Sequence, residues 1–237
     1  MAVANSLAPT KQATEFKYMA NNEEVRLSST MVKKYLVSGD ANSVTDQEVM
    51  MFMTLCKYQH LNPFLREAYL VKYGNSPATI VTGKDTFTKR AERNPKYNGK
   101  AAGIIVQKAD GSIDYREGTL HLKDETIVGG WAKIFIAGRE PEMTTVSFDE
   151  YVGKKKDGSV SGQWLAKPAT MIRKVAVVQA LREAFPEDFG GLYSPEEMDG
   201  DVNEVIPDKD VPVDVVEADA KVVDQASKPP VEDVLFE

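Results

Sequence analysis

Apolar residues along the 237-residue chain recur at two different spacings, and the switches between them divide it into elements. Residues 1–20 are polar and small without a sustained period, and are expected to form a flexible leader. Met31 to Val37 has short helical spacing. A firmer helix is predicted from Thr45, because Thr45-Asp46-Gln47-Glu48 has the form of a capping box and Val49, Phe52, Met53 and Cys56 follow at helical intervals. Asn62-Pro63 ends it near His60, since the residue before a proline is driven out of helical backbone. The period then drops to two. Glu67–Lys72 and Thr79–Thr82 flank Tyr73-Gly74-Asn75-Ser76-Pro77 and read as a hairpin. Asp85–Asn94 reads as a short basic helix stopped by Pro95.

Lys100–Gln107 and Ile113–Leu122 alternate around the turn Ala109-Asp110-Gly111-Ser112, and Ile127–Ala137 and Met143–Phe148 continue a meander. A Gly/Lys-rich loop, Gly153–Gly162, leads through Trp164 to a helix over Pro168–Phe185, with proline at its first position. Gly190-Gly191 ends that segment. The expected class is α+β: an antiparallel sheet, made of a hairpin plus a meander, packed with helices. The expected division is 1–20 leader, 21–194 folded body and 195–237 tail. After Pro195 the chain is rich in Val, Asp, Glu and Pro without period, and disorder is expected there.

Charge sharpens this division. The formal net charge is −7, but residues 195–237 hold 14 acidic residues against Lys209, Lys221 and Lys228, a net −11. The remaining body is therefore +4. A mildly basic body beside an acidic tail suits a polyanionic partner better than the whole-chain balance suggests.

The chemistry that the residues exclude narrows the choice. One cysteine, Cys56, permits no internal disulfide, and two histidines with one cysteine cannot build a zinc finger or ribbon. No run approaches the roughly 18 apolar residues of a membrane span, and the first residues lack a secretory pattern, so a cytoplasmic protein is expected. Lysine follows glycine at Gly83, Gly99 and Gly153, but none of these pairs has the upstream glycine and following Ser or Thr of a phosphate-binding loop. His60 and His121 have no nucleophile motif around them. No cofactor, metal site or catalytic residue is expected, and a metal nuclease is a remote third reading.

What remains is basic. Lys154, Lys155, Lys156, Lys167, Arg173 and Lys174 surround Trp164 with one nearby acid, Asp157. Cations that track phosphates and a ring that stacks on bases are what a single-strand groove uses. A solvated lysine loop beside a core tryptophan fits the same residues equally well. Arg182 interrupts the apolar stripe of Met171, Val175, Val178 and Phe185, so it either faces a charged ligand or pairs with an internal acid such as Glu150 or Asp188. A second cluster, Lys84, Lys89, Arg90, Arg93 and Lys96, surrounds the short basic helix.

Several co-linear segments resemble one family. Leu61-Asn62-Pro63-Phe64 with Glu67-Ala68-Tyr69, then Gly83-Lys84-Asp85-Thr86-Phe87, then Gly162-Gln163-Trp164, Pro168, Met171, Arg173, Gln179, Arg182, Phe185 and Gly191-Leu192-Tyr193 are similar in order and spacing to phage recombination protein Bet (lambda Red beta) and the RecT-like single-strand annealing proteins. The resemblance spans roughly residues 45–195. It implies ATP-independent binding of single-stranded DNA and annealing of complementary strands in phage homologous recombination, by a homo-oligomer in ring or helical-filament form. The implied setting is a phage or prophage protein in a bacterial host.

By position the resemblance assigns Arg173, Arg182, Trp164 and Lys89 to the DNA groove, with Lys84, Lys167, Lys174 and the 154–156 triplet supplying further charge. Val175 and Ala169-Thr170 stand where the lambda protein has basic residues. Its helical C-terminal domain has no counterpart in 195–237, which leaves a phage exonuclease and a host single-strand-binding protein as open partners. A passive single-strand-binding accessory protein without annealing activity stays open as the alternative.

Overall fold

The computed structural model describes residues 14–72, 74, 76–155 and 157–198. The described chain opens with a hairpin, β1 (Glu15–Ala20) and β2 (Glu23–Ser28), paired antiparallel from Glu15↔Ser28 to Ala20↔Glu23. Asn21 and Asn22 turn it with φ of 55° and 68°, a left-handed pair that asparagine tolerates better than other side chains. Tyr18, Ala20, Val25 and Leu27 are buried on one face. The expected loose leader therefore gives way to an ordered strand from Glu15.

A short helix α1 (Ser29–Met31) runs into a π-helical turn, Val32–Leu36, and then into β3 (Val37–Gly39). The helix α2 (Asp46–Tyr58) is capped as its sequence demands: Thr45 N–H donates to Glu48 Oε2 at 2.8 Å and Glu48 N–H donates to Thr45 Oγ1 at 3.2 Å. After a single 3₁₀ turn at Pro63–Leu65 come β4 (Ala68–Lys72) and β5 (Thr79–Thr82), the expected antiparallel hairpin. β3 adds a parallel strand to the other edge of β4, giving the order β3-β4-β5.

The basic helix α3 (Lys84–Arg93) precedes the meander of β6 (Tyr97–Gln107), β7 (Ile113–Glu117), β8 (Thr126–Ile136) and β9 (Glu142–Ser147), which forms a sheet in the order β7-β6-β8-β9. β7 ends at Glu117, and Leu120 and Leu122 beyond it are exposed. α4 (Phe148–Tyr151) and α5 (Gly162–Ala166) lead to the long α6 (Pro168–Ala184), followed by α7 (Pro186–Phe189) and a 3₁₀ turn, Pro195–Glu197.

Helix α6 lies across β8, β9 and β6, and ten of its 17 residues are buried. Close approach is possible because Gly130 has no side chain: a Cβ there would sit 2.6 Å from the Ile172 carbonyl oxygen. Ala132 and Ile134 share this face with Gly130, and Lys100, Ala102, Ile104 and Val106 share it from β6. No helix among the described residues is long and apolar enough to cross a membrane.

The turn at Pro195–Glu197 has buried Pro195 and Glu196, so the folded body runs past the expected boundary at 194. Beyond Met198 the expected tail lies outside the described residues.

Candidate nucleic-acid interface

Helix α6 meets α3 and β6 at one place, and there the sheet's apolar row ends in a lysine. Lys100 pairs with Ile134 and occupies the same inward register as Ala102 and Ile104. A cleft of about 400 Å3 opens at this point, lined by Asp85, Thr88 and Lys89 of α3, Lys100 of β6, and Arg173, Lys174 and Val177 of α6. Four cations from three elements thus line it beside Asp85. Arg173 Nε donates to the Ala102 carbonyl at 3.1 Å, an anchor that uses one of the five guanidinium donors. Lys174 Nζ donates to Glu196 Oε1 at 2.8 Å. A rim of mixed Arg and Lys can neutralise successive phosphates.

The residues expected at a DNA site fall into separate groups. Lys89, Arg173 and Lys174 come together in the cleft. Lys154 and Lys155 are exposed on a small hairpin, bridged at Lys154↔Val160 and closed by Lys155 N–H donating to Ser159 O at 2.7 Å. Asp157 caps that turn by accepting from Ser159 N–H at 2.9 Å and Ser159 Oγ at 2.6 Å. Lys156 lies outside the described residues, as does the side chain of Lys84. Lys167 is exposed at the junction of α5 and α6. Lys154, Lys155 and Lys167 do not line the cleft described by Lys100 and Arg173.

Trp164 requires a correction. It is 1% exposed, and its ring meets Phe148 edge-on with centroids 5.7 Å apart and planes at 75°. The loop makes room for it at Gly153, where a Cβ would lie 2.9 Å from Trp164 Cδ1. The indole is a core residue and offers no face to a base. Its placement follows from α5, which the glycine- and lysine-rich composition concealed.

Arg182 is corrected in the same way. Nη2 bonds Glu197 Oε1, and Nη1 donates to Leu192 O at 2.9 Å and to Glu197 Oε2 at 3.3 Å. The guanidinium also lies over Tyr193, 4.7 Å from the ring centroid. Burial works against its charge, but the bond and charge of Glu197 hold its pKa above the ordinary arginine range. The internal partner is Glu197, not Glu150 or Asp188. Asp188 instead accepts from Asn94 Nδ2 at 2.6 Å, and its carbonyl accepts from Arg90 Nη1 at 2.7 Å. Arg90, which also donates to Gln59 Oε1 at 2.7 Å, ties α3 to α2 and α7. The second basic cluster is thus divided between a structural arginine and a cleft lysine, Lys89.

Lys100 is the site residue that motif reasoning missed. Its signal is a lysine in the inward register of an otherwise apolar alternation, Lys100-Ala102-Ile104-Val106. The Leu61–Tyr69 segment proves architectural: Glu67, 3% exposed, accepts from Asn62 N–H and Asn21 Nδ2, both at 2.8 Å, and so locks the 3₁₀ turn to the β1–β2 hairpin.

The sequence profile of the RecT family matches residues 22–211, about four-fifths of the chain. The chain belongs to the RecT family. It is also 29% identical over 177 residues to the Uncharacterized protein UU154 of Ureaplasma parvum serovar 3, an alignment covering 72% of this chain and 68% of that protein. RecT membership implies single-strand annealing in DNA recombination and binding of single-stranded DNA, and members are annealing proteins rather than enzymes in the usual sense. The RecT match extends past the Pro195–Glu197 turn, which agrees with that turn being part of the folded body.

Proposed function

We propose that this RecT-family chain binds single-stranded DNA through the cleft between α3, β6 and α6 and anneals complementary strands without ATP, acting as an oligomer. One observation carries the reading: Lys89, Lys100 and Arg173, from three separate elements, line one cleft. Annealing breaks no covalent bond. A strand must be held with its phosphates neutralised and its base edges left open, and stacking in the new duplex then drives the pairing. This accounts for a site made of cations without a nucleotide loop. Exposed Lys154, Lys155 and Lys167 add replaceable charge outside the cleft.

One cleft of this size spans only a few nucleotides, so a long strand requires repeated subunits along it. The test measures binding of a labelled oligonucleotide against salt, using wild type and Lys89→Ala, Lys100→Ala and Arg173→Ala. Each loss should shallow the salt slope by about 0.7, the single-strand value per phosphate. Unchanged slopes in all three folded variants would remove the cleft from the DNA site. Binding that protects DNA without speeding pairing would favour the passive alternative.

A further inference from the structure

Lys174 stands on the wall of the cleft, yet its ammonium is already engaged by Glu196 Oε1 at 2.8 Å. Glu196 belongs to the turn Pro195–Glu197, and its side chain is 7% exposed against 27% for Lys174. The neighbouring pair in that turn is fully satisfied. Both oxygens of Glu197 take bonds from Arg182, and Oε2 also accepts from Ser194 N–H at 2.9 Å. Thr82 N–H donates to the Tyr193 carbonyl at 2.8 Å and fixes the approach to the turn.

Glu196 is different. Its second oxygen, Oε2, is buried and takes no hydrogen bond from the described residues. The turn is therefore held by Arg182 and Glu197, while Glu196 meets Lys174 through a single oxygen.

We propose that Glu196 sets the DNA affinity of the cleft: it occupies Lys174 in the free protein and yields it to a DNA phosphate on binding. The proposal rests on the cleft being the DNA site. Because Lys174 is its one side-chain partner among the described residues, buried Glu196 opposes the exchange and so lowers the affinity of the cleft, while lysine, a point charge on a flexible stem, can still pass from one oxyanion to another. The anchor of the turn survives the exchange because Arg182 does not move with it. Among the described residues, three cleft cations stand outside an ion pair, Lys89, Lys100 and Arg173, and Lys174 joins them once it is released.

The full chain carrying Glu196→Gln tests this with labelled single-stranded DNA. Gln keeps the shape and removes the competing charge. Affinity should rise severalfold at every salt concentration with the slope unchanged, because Lys174 neutralises the same phosphate in both complexes. Lys174→Ala should shallow the slope by about 0.7, the loss of one phosphate contact, and Glu196→Gln should add nothing in the Lys174→Ala background.

If Lys89→Ala and Arg173→Ala weaken binding but folded Glu196→Gln leaves affinity unchanged, or lowers it, this proposal is overturned while the cleft stands. If none of the cleft variants changes binding, the cleft itself is misassigned and the proposal falls with it. Should Glu196→Gln fail to fold, Glu196→Asp withdraws the carboxylate by one methylene and should give part of the same gain. Unfolding of both would make Glu196 a requirement of the fold and overturn the proposal equally.

Discussion

Replacing Arg182 by alanine separates a structural arginine from a DNA-binding one. The side chain is 21% exposed and its partner Glu197 only 4%, so the substitution leaves a buried carboxylate without its cation. It also removes the bond to Leu192 O and the contact over Tyr193. Breaking a buried pair from one side costs about 3–5 kcal/mol, mostly the penalty of stranding the other charge. For a chain of this size each kcal/mol moves Tm by about 2–4 °C, so the variant should melt about 6–20 °C below wild type.

Replacing both partners, Arg182→Met with Glu197→Leu, should recover most of that loss, because an apolar pair of similar volume carries no stranded charge. Thermal unfolding followed by circular dichroism gives Tm, and fluorescence anisotropy at a temperature where each variant is folded gives DNA affinity. The expected result is a large Tm loss with affinity per folded molecule nearly unchanged. Melting within about 2 °C of wild type together with roughly tenfold weaker DNA binding would refute the assignment and return Arg182 to the DNA site.

Three further outcomes are expected. Glu48 receives Lys72 Nζ and Ala78 N–H, both at 2.7 Å, and the Lys72 bond, with the backbone bonds, depresses its pKa from 4.5 to about 2. The unfolded chain therefore binds a proton at Glu48 where the folded one does not, so the Glu48 contribution is complete above about 4.5 and is lost as pH falls toward 2; Glu48→Gln should flatten urea-measured stability across that window. Trp164→Phe should lower Tm yet leave single-strand affinity within about twofold, and a selective loss of affinity with Tm unchanged would show the indole meeting bases. Removing residues 212–237 should preserve melting and keep or tighten DNA binding by relieving acidic competition, whereas cutting at 195 also deletes Glu196 and Glu197 and should lower Tm sharply; equal melting of the two truncations would contradict the role of the turn.

What was legible in the chain was what repeats. α2 and α6 carried helical spacing with a capping box and an N-terminal proline, and β6 to β9 carried short apolar or alternating runs between good turns. The β1–β2 hairpin escaped because Phe16, Tyr18 and Ala20 alternate for only six residues, and Asn21-Asn22 is a weaker turn signal than Asn-Gly. β3 has three residues and pairs in parallel with a strand far along the chain, so no local pattern could announce it.

The site divides on similar lines. Clustered charge pointed to Lys89, Arg173 and Lys174, but a cation's partner depends on tertiary contacts. Lys100 is an isolated lysine in a strand, meaningful only once its inward register is known. Arg182 and Trp164 looked like ligand-facing residues because the acid that pairs with one lies in a stretch whose average composition reads as an unfolded tail, and the aromatic that packs on the other comes from the preceding helical turn, α4.

The most direct test of the account is annealing itself. Two complementary labelled oligonucleotides are mixed without nucleotide, alone, with wild-type protein, and with the Lys89→Ala/Lys100→Ala/Arg173→Ala variant, and duplex formation is followed by energy transfer over a range of salt. The account predicts pairing faster than the protein-free rate with wild type, weakening as salt rises, and a return to the protein-free rate with a triple variant that melts like wild type. Acceleration that appears only with ATP, or wild-type annealing by the folded triple variant, would contradict it.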